Sequence, residues 1–433
     1  MKKLTIGIVS SMLAFSSMAQ SNSLTLQQCR QMALEHNEEV QKSGNAVTEA
    51  KLDKEVAFSN YLPRLSGNAS ALLVQDQDIM GMTLKMRGTY FAGFSLTQPI
   101  YAGGKIVNGN KLAKVGMECA DIQDQKTRAD IIADADNAYW TYIAVLEKIR
   151  MLETYKAQMD SLCKIIQNTI DAEMGTEYDL IRIQAKASEL SYQLQKAKNG
   201  ANLCRMNLCN IIGDSLSSQI TLADTVINVE SPSNMSDNID GRPEVQLLDK
   251  NIEAKELQVK MTRGDYLPQV GLQAGYTFYG NIKVEGVTQL EDGTLYPYET
   301  NYNGQIGMVM AAAQIPIWNW GEGSKKIKKA KLEVEDAKLD KERNKRLMTI
   351  QAQQAIQNVT DSYNMIETAE QGMKEAEENL RIMREKYDNE MGTLTDLLDA
   401  QSQWSQAKSN VIEAKTQYKI YETEYQHVTG NLK

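Results

Sequence analysis

The sequence predicts a mainly α-helical protein with a smaller β part, built from one duplicated structural unit. Three observations support this fold class: an internal repeat over most of the chain, two long stretches without proline, and paired strand-like segments at equivalent positions of the two halves. A repeat fixes the architecture before any local pattern does.

The repeat is visible as matching strings with constant offsets. Tyr-Leu-Pro at 61–63 recurs at 266–268, an offset of 205, and Glu-Met-Gly-Thr at 173–176 recurs at 390–393, an offset of 217. The difference, 217 − 205 = 12, places one insertion in the second half, inside its strand-like region. Surface loops tolerate insertions, so the two halves are predicted to be copies of one unit.

The two proline-free stretches, 104–173 and 321–390, are equal in length and predict unusually long helices. A continuous helix of that length measures roughly 100 Å. Heptad spacing in the second stretch requires a partner helix, and we expect helical hairpins at about 104–212 and 321–428. The heptad positions are Val359, Ile366, Met373, Leu380 and Tyr387, with Ala369, Ala376 and Met383 three positions after three of them.

Each repeat also predicts a β-hairpin, at about 64–101 in the first and 269–317 in the second. Each strand has room for the roughly 9 to 11 residues that cross a bilayer at a tilt; a soluble four-stranded sheet is the alternative. Four strands cannot close a barrel, and lipid does not tolerate open strand edges. A transmembrane β part would therefore have to be shared by several chains.

The N-terminus predicts a secretory signal peptide at 1–19: Lys2 and Lys3, an apolar run, and a Ser-Met-Ala ending. The net charge is −9, so the mature chain carries −9 − 2 = −11. Nucleic-acid binding requires clustered cations, so we expect no nucleic-acid partner. The predicted domains are the signal peptide, a first repeat at 20–232 and a second repeat at 233–433.

The sequence predicts neither catalysis nor a cofactor or metal site. His36 and His427 lie far apart, and neither a nucleophile elbow nor a phosphate-binding glycine loop occurs. The five cysteines are scattered and are interpreted as small buried apolar residues. Soft-metal export through Met80, Met82 and Met86 is a minor alternative to packing or lipid contact.

Several short motifs occur in a fixed order along the chain. They are Ala33-Leu34 through Asn37, Arg242-Pro243-Glu244, the two Tyr-Leu-Pro turns, Gln98-Pro99-Ile100-Tyr101-Ala102-Gly103-Gly104, and Asp396-Leu397-Leu398-Asp399-Ala400-Gln401. In this order and spacing the sequence resembles the TolC-like outer membrane efflux proteins, the outer membrane factors of tripartite efflux systems, over nearly the whole mature chain.

The resemblance implies a homotrimer in the outer membrane that extends into the periplasm. Three chains with four strands each would form a 12-stranded β-barrel, continued by a long α-helical coiled-coil barrel. The duct would contact outer membrane lipid, dock on a periplasmic adaptor and an inner-membrane pump, and export small molecules. Two alternatives stay open: a duct for protein secretion, and a soluble periplasmic coiled-coil scaffold or adaptor.

The resemblance also implies site residues. The alternative is that the acidic residues among them are ordinary solvent-exposed residues of the helices. Glu390 and Glu173 stand where the family commonly has a tip glycine, and Gly392 stands where some members have a linking basic residue. The implied periplasmic constriction comprises Asp396, Asp399, Tyr387 and Asp179, and the implied adaptor-docking tips comprise Met174, Gly175, Thr176, Met391, Gly392 and Thr393.

Overall fold

The structure is a computed structural model. The signal peptide predicted at 1–19 lies outside the described residues, as do the tip residues Met174 and Gly175. The described residues are 23–173, 176–232, 234–291 and 293–432.

Within these residues the chain forms seven helices and eight strands, and the strands include two short segments in the first hairpin and one very short parallel pair. The elements are β1 (Ser23–Leu24), α1 (Leu26–His36), α2 (Glu38–Ser59), β2 (Arg64–Leu73), β3 (Gln77–Ile79), β4 (Met82–Lys85), β5 (Arg87–Ala102), α3 (Lys105–Asp171), α4 (Glu177–Ile211), β6 (Thr221–Leu222), α5 (Pro243–Gly264), β7 (Gln269–Gln289), β8 (Leu295–Gln314), α6 (Glu322–Asp388) and α7 (Leu394–Val428).

The helix lengths confirm the predicted duplication. α3 and α6 each contain 67 residues, and α4 and α7 each contain 35 residues. The starts of both pairs differ by the same offset, 322 − 105 = 217 and 394 − 177 = 217. α2 and α5 each contain 22 residues, and their starts differ by 243 − 38 = 205. Both offsets found in the sequence are therefore present in the structure, and the extra residues lengthen the second β-hairpin.

The chain divides into two compact units, and the first is helical. It comprises the described residues up to Gln41, Arg128–Asn238 and the residues from Gln351 onwards. The predicted seam is present, since Val359 and Ile366 are buried and the later heptad positions are partly buried. Among the helices of the described residues, none is both long enough and apolar enough to cross a membrane.

A buried ion pair joins three helices within this unit. Asp136 on α3 is fully buried and accepts hydrogen bonds from Arg30 Nε and Nη2 on α1, at 2.7 and 2.6 Å. The hydroxyl of Thr423 on α7 donates to the same carboxylate at 3.1 Å. A buried carboxylate requires such partners, so the three contacts fix the relative positions of these helix segments.

The second unit, Lys42–Thr127 and Ile239–Ile350, contains the large sheet. Its long strands are antiparallel and follow the order β2-β5-β7-β8, while β4 continues β5 along β7 and β3 pairs with β4. The turn region of the first predicted β-hairpin, around Asp76, Asp78 and Gly81, is not an open polar loop but forms a short β3–β4 hairpin. Met80 and Gly81 have positive φ angles of 52° and 81°, the geometry of a two-residue hairpin turn.

A close contact between backbones fixes the end of the first β-hairpin. Gly103, with φ of +60°, directly follows β5 and lies against Gly264 at the end of α5. A Cβ atom added at Gly103 would lie 2.2 Å from the carbonyl oxygen of Gly264. Both the positive φ and this approach require glycine, which gives the Gly-Gly at 103–104 a structural reason.

Candidate functional site

The register of the large sheet assigns its residues to two faces, because residues directly opposite on neighbouring antiparallel strands share a face. Phe94 lies opposite Tyr276, and Tyr276 lies opposite Gly307. We call this side the apolar face. It includes Leu65, Ala69, Ala71, Tyr90, Ala92, Phe94, Leu96, Leu272, Ala274, Tyr276, Phe278, Val309 and Ala311.

The opposite side, which we call the polar face, carries hydroxyl and amide side chains on β2, β5 and β7, whereas its β8 positions are apolar. Ser66 lies opposite Ser95, and their hydroxyl oxygens are 2.9 Å apart. A barrel wall in a membrane needs lipid-compatible residues on one side and polar residues on the other, alternating along each strand. The polar face includes Ser66, Asn68, Ser70, Ser95, Thr97, Gln273 and Thr277, together with Phe91, Tyr279, Ile306, Met308 and Met310.

The apolar face is strongly exposed in the single chain. Val309 is 81% exposed and Phe94 is 61% exposed, and Leu65, Tyr276 and their neighbours on this face are exposed as well. Monomeric soluble proteins rarely expose a contiguous apolar surface of this extent. The face therefore requires an apolar environment, which lipid supplies.

The two helix tips in the first unit are capped in the same way. Thr176 is the N-cap of α4 and Thr393 is the N-cap of α7, and the two differ by the repeat offset, 393 − 176 = 217. The hydroxyl of each threonine donates to the aspartate three positions on, at 2.6 Å to Asp179 and 2.7 Å to Asp396. Each aspartate N–H donates back to its threonine hydroxyl. Such caps satisfy otherwise unpaired helix-end donors.

Asp396 therefore has a local partner as well as its implied place in the constriction. Hydrogen bonds from the hydroxyl and the backbone N–H of Thr393 hold the pKa of its carboxyl below its usual value. A lowered folded-state pKa contributes stability above the unfolded pKa and loses it as the pH falls through the lowered value. The cap and the negative charge at Asp396 thus persist at neutral pH.

The remaining predicted constriction residues differ in their surroundings. Burial, and then the negative charges of Asp179 and Asp388, raise the pKa of Tyr387. Tyr387 is partly buried and packs against the core cluster that contains Leu394 and Leu398. The side chain of Asp399 is exposed and has no hydrogen bond or ion pair to another described residue. The structure thus packs Tyr387 against this core cluster, where the charge of Asp179 acts on it, and leaves the side chain of Asp399 open to solvent.

A contact that the sequence did not reveal links the two helical hairpins. Arg182 on α4 donates from Nη1 to the hydroxyl of Thr395 on α7. The two residues are 213 apart in sequence, and no local pattern pairs them. The Thr-x-x-Asp caps could have been found, since a capping residue followed three positions later by an acceptor marks a helix start.

The first residue of the Glu-Met-Gly-Thr string has the same unusual backbone conformation at both tips. Glu173 and Glu390 have φ angles of 59° and 58°, in the left-handed region that favours glycine. Gly392 does not have a positive φ; a Cβ there would lie 3.1 Å from the Lys386 Cβ. Met391 is exposed at the tip, as are Thr176 and Thr393.

Replacing Glu390 by glycine is expected to stabilise the second tip, because a non-glycine residue in the left-handed region costs about 1 kcal/mol. Glu390→Ala is the matched control, since it removes the same carboxylate and keeps the strained backbone. We expect the Gly variant to unfold at a higher temperature than the Ala variant by circular dichroism. Equal transition temperatures would contradict the strain at this position.

The described residues give little support to metal binding. Among the described ranges, no group of three or more His, Cys, Asp or Glu side chains could hold a metal ion. Of the methionines considered for soft-metal export, Met82 accepts a hydrogen bond from the Tyr298 hydroxyl at 3.2 Å, and Met80 is almost fully exposed at the β3–β4 turn.

Two known sequences or sequence families are similar to this chain. The family model described as "Outer membrane efflux protein" matches residues 235–431. Outer membrane protein TolC of Escherichia coli (strain K12) is 23% identical over 445 residues, which cover 100% of this chain and 87% of TolC. These sequence matches agree with the apolar and polar faces of the sheet.

Solved structures share the fold. The CmeC outer membrane channel of Campylobacter jejuni matches with a TM-score of 0.79 and 17% identity, over 94% of this chain and 85% of that one. The outer membrane protein VceC of Vibrio cholerae matches with a TM-score of 0.73 and 16% identity, over 94% and 96% of the two chains. The predicted mainly helical fold with a β part is thus confirmed.

The second half of the chain thus matches the model of the outer membrane efflux proteins, and 94% of the chain shares its fold with the outer membrane channel CmeC. These similarities to TolC and to the other outer membrane proteins agree with the predicted resemblance to the TolC-like outer membrane efflux proteins. The prediction that it is not an enzyme is also confirmed, because these relatives are channel proteins.

Proposed function

We propose that the chain assembles as a homotrimer that forms the exit duct of a tripartite efflux system and exports small molecules. The observation that carries the trimer is the pairing of the sheet. Within the described residues, β2 pairs only with β5 and β8 pairs only with β7, so both outer edges are unpaired. Lipid does not tolerate such edges, and a second copy can satisfy them.

The number of three copies comes from the resemblance to the TolC-like proteins, and the strand count is compatible with it. Four long strands per chain are too few for a barrel, whereas three chains give 3 × 4 = 12 strands and remove every edge. The apolar face would then contact lipid and the polar face would line the lumen. A soluble scaffold is disfavoured, because it would leave the apolar face in water.

The helix tips are the proposed contact with the rest of the system. The exposed residues Thr176, Met391 and Thr393 would meet the periplasmic adaptor, and the adaptor would connect the duct to an inner-membrane pump that supplies the energy. Asp396, Asp399 and Tyr387 with Asp179 are proposed to form the constriction. The cap bonds of Asp179 and Asp396 and the link from Arg182 to Thr395 support an ordered, closable tip.

Cysteine crosslinking between strand edges tests the trimer. Ser70→Cys on β2 is combined in turn with Met308→Cys, Met310→Cys or Ala312→Cys on β8, all on the polar face. We expect one combination to give covalent dimers and trimers in the outer-membrane fraction. Ser95→Cys with the same partners is the control, since β5 is paired on both sides within one chain.

The outcomes separate the alternatives. A soluble monomer without crosslinks between chains would overturn the channel assembly. Single-cysteine variants report any crosslinking through the five native cysteines.

Resistance to small toxic compounds, measured in a strain that lacks the protein and carries its pump and adaptor, tests the cargo. Loss of protein secretion with unchanged resistance would favour the secretion duct.

A further inference from the structure

A cavity lies where the second β-hairpin gives way to its long helix, within the unit that contains the large sheet. It has a volume of about 580 Å³. Trp318 lines it, and Trp320 packs against Trp318 with ring centroids 5.9 Å apart. Trp318 and Trp320 are 75% and 85% exposed. Side chains of this size gain from an apolar environment, so their exposure indicates a missing partner.

Unpaired lysines lie beside the tryptophans. Lys326 forms an ion pair with Glu322 at 2.5 Å, whereas the other four lysines between 325 and 331 have no ion pair to another described residue. Lys328 and Lys331, three positions apart on α6, both line the cavity. Clustered cations near a helix N-terminus do not stabilise the helix, so helix stability does not explain them.

The first repeat provides an internal comparison, because its equivalent positions are found by subtracting the offset of 217. Trp318 corresponds to Tyr101 and Trp320 corresponds to Gly103. Lys325 and Lys329 correspond to Asn108 and Leu112. Trp320, Lys325 and Lys329 are therefore specific to the second repeat and are not a requirement of the shared frame.

Two lysines are common to both repeats but differ in their surroundings. Lys111 and Lys114 correspond to Lys328 and Lys331. Lys114 has an ion pair with Glu118 at 3.6 Å, and neither Lys111 nor Lys114 lines the cavity at the equivalent junction. They provide a matched control for the lysines of the second repeat.

We propose that the cavity binds the headgroup of an anionic phospholipid in the periplasmic leaflet of the outer membrane. Lys328 and Lys331 would hold the phosphate, and Asn319 and Ser324 would meet the polar groups of the headgroup. Exposed Ile315 and Ile317 follow the alternation of the apolar face and would contact the acyl chains. Tryptophan prefers this interfacial depth, and anionic lipid attracts lysines beside a membrane.

Tryptophan quenching by brominated lipid tests the site in the full-length protein reconstituted into bilayers. Trp140→Phe and Trp404→Phe leave Trp318 and Trp320 as the only tryptophans. The measured quantity is the association constant of brominated phosphatidylglycerol relative to brominated phosphatidylcholine. We expect a clear preference for phosphatidylglycerol, reduced roughly 10-fold by Lys328→Gln with Lys331→Gln.

The control is Lys111→Gln with Lys114→Gln, which removes the same charge from the first repeat and is expected to keep the preference. Equal quenching by both lipids in the parent, or an equal loss in the control variant, would overturn the proposal. Displacement of phosphatidylglycerol by inorganic phosphate would assign the site to free phosphate instead of lipid. Crosslinking and resistance are measured on the same variants, so failure of the lipid site is distinguishable from failure of the channel.

Discussion

Val309→Arg is expected to reduce severely the amount of folded channel in the outer membrane. Val309 lies on the apolar face of β8, opposite Ala274, and is the most exposed large side chain of that face. Arginine facing lipid near the bilayer midplane costs about 2 to 4 kcal/mol, and a trimer carries that cost in each chain. The measurement is the folded fraction in isolated outer membranes, followed by unfolding in urea after reconstitution.

The adjacent residue provides the control. Met310 follows Val309 in the chain and lies on the polar face, opposite Gln273. Met310→Arg introduces the same side chain into the proposed lumen, and we expect it to fold nearly as well as the parent. If both variants folded equally well, or if Met310→Arg were the more damaging, the assignment of the two faces would be wrong.

Asp396→Asn combined with Asp399→Asn is expected to weaken block of the channel by a trivalent cation at least roughly 10-fold. In a trimer the two positions would form two acidic rings, and rings of carboxylates favour cations at a constriction. Asparagine keeps an acceptor for the Thr393 hydroxyl, so the α7 cap is preserved. The measurement is the blocking constant in single-channel recordings.

Asp388→Asn with Glu390→Gln removes the same number of charges close by, before the tip. Both residues are exposed, and neither has an ion pair to another described residue. We expect block in this control to match the parent. Unchanged block in the Asp396 and Asp399 variant would remove these residues from the constriction, and equal weakening in both variants would reduce the effect to general surface charge.

Much of the fold follows from local signals in the chain. Proline-free stretches and heptads located the long helices to within two positions at either end, because helix formation and helix termination depend on neighbours a few positions away. The β3–β4 hairpin was missed because its turn, Met80-Gly81, is not one of the common turn dipeptides. The constriction residues were predicted only from the family resemblance. A single aspartate or glutamate on a helix does not by itself show whether it lines a constriction or faces solvent.

The chain alone established the duplication, the two helical hairpins and the resemblance to outer membrane efflux proteins, because each rests on recurring strings or on local periodicity. The three-dimensional arrangement was needed for the two faces of the sheet, since face assignment depends on the register between strands such as β5 and β7. It was also needed for the Arg182–Thr395 contact, whose residues are 213 positions apart, and for the unpaired lysines beside Trp318. Such contacts arise from packing between distant segments, and no short stretch of sequence encodes them.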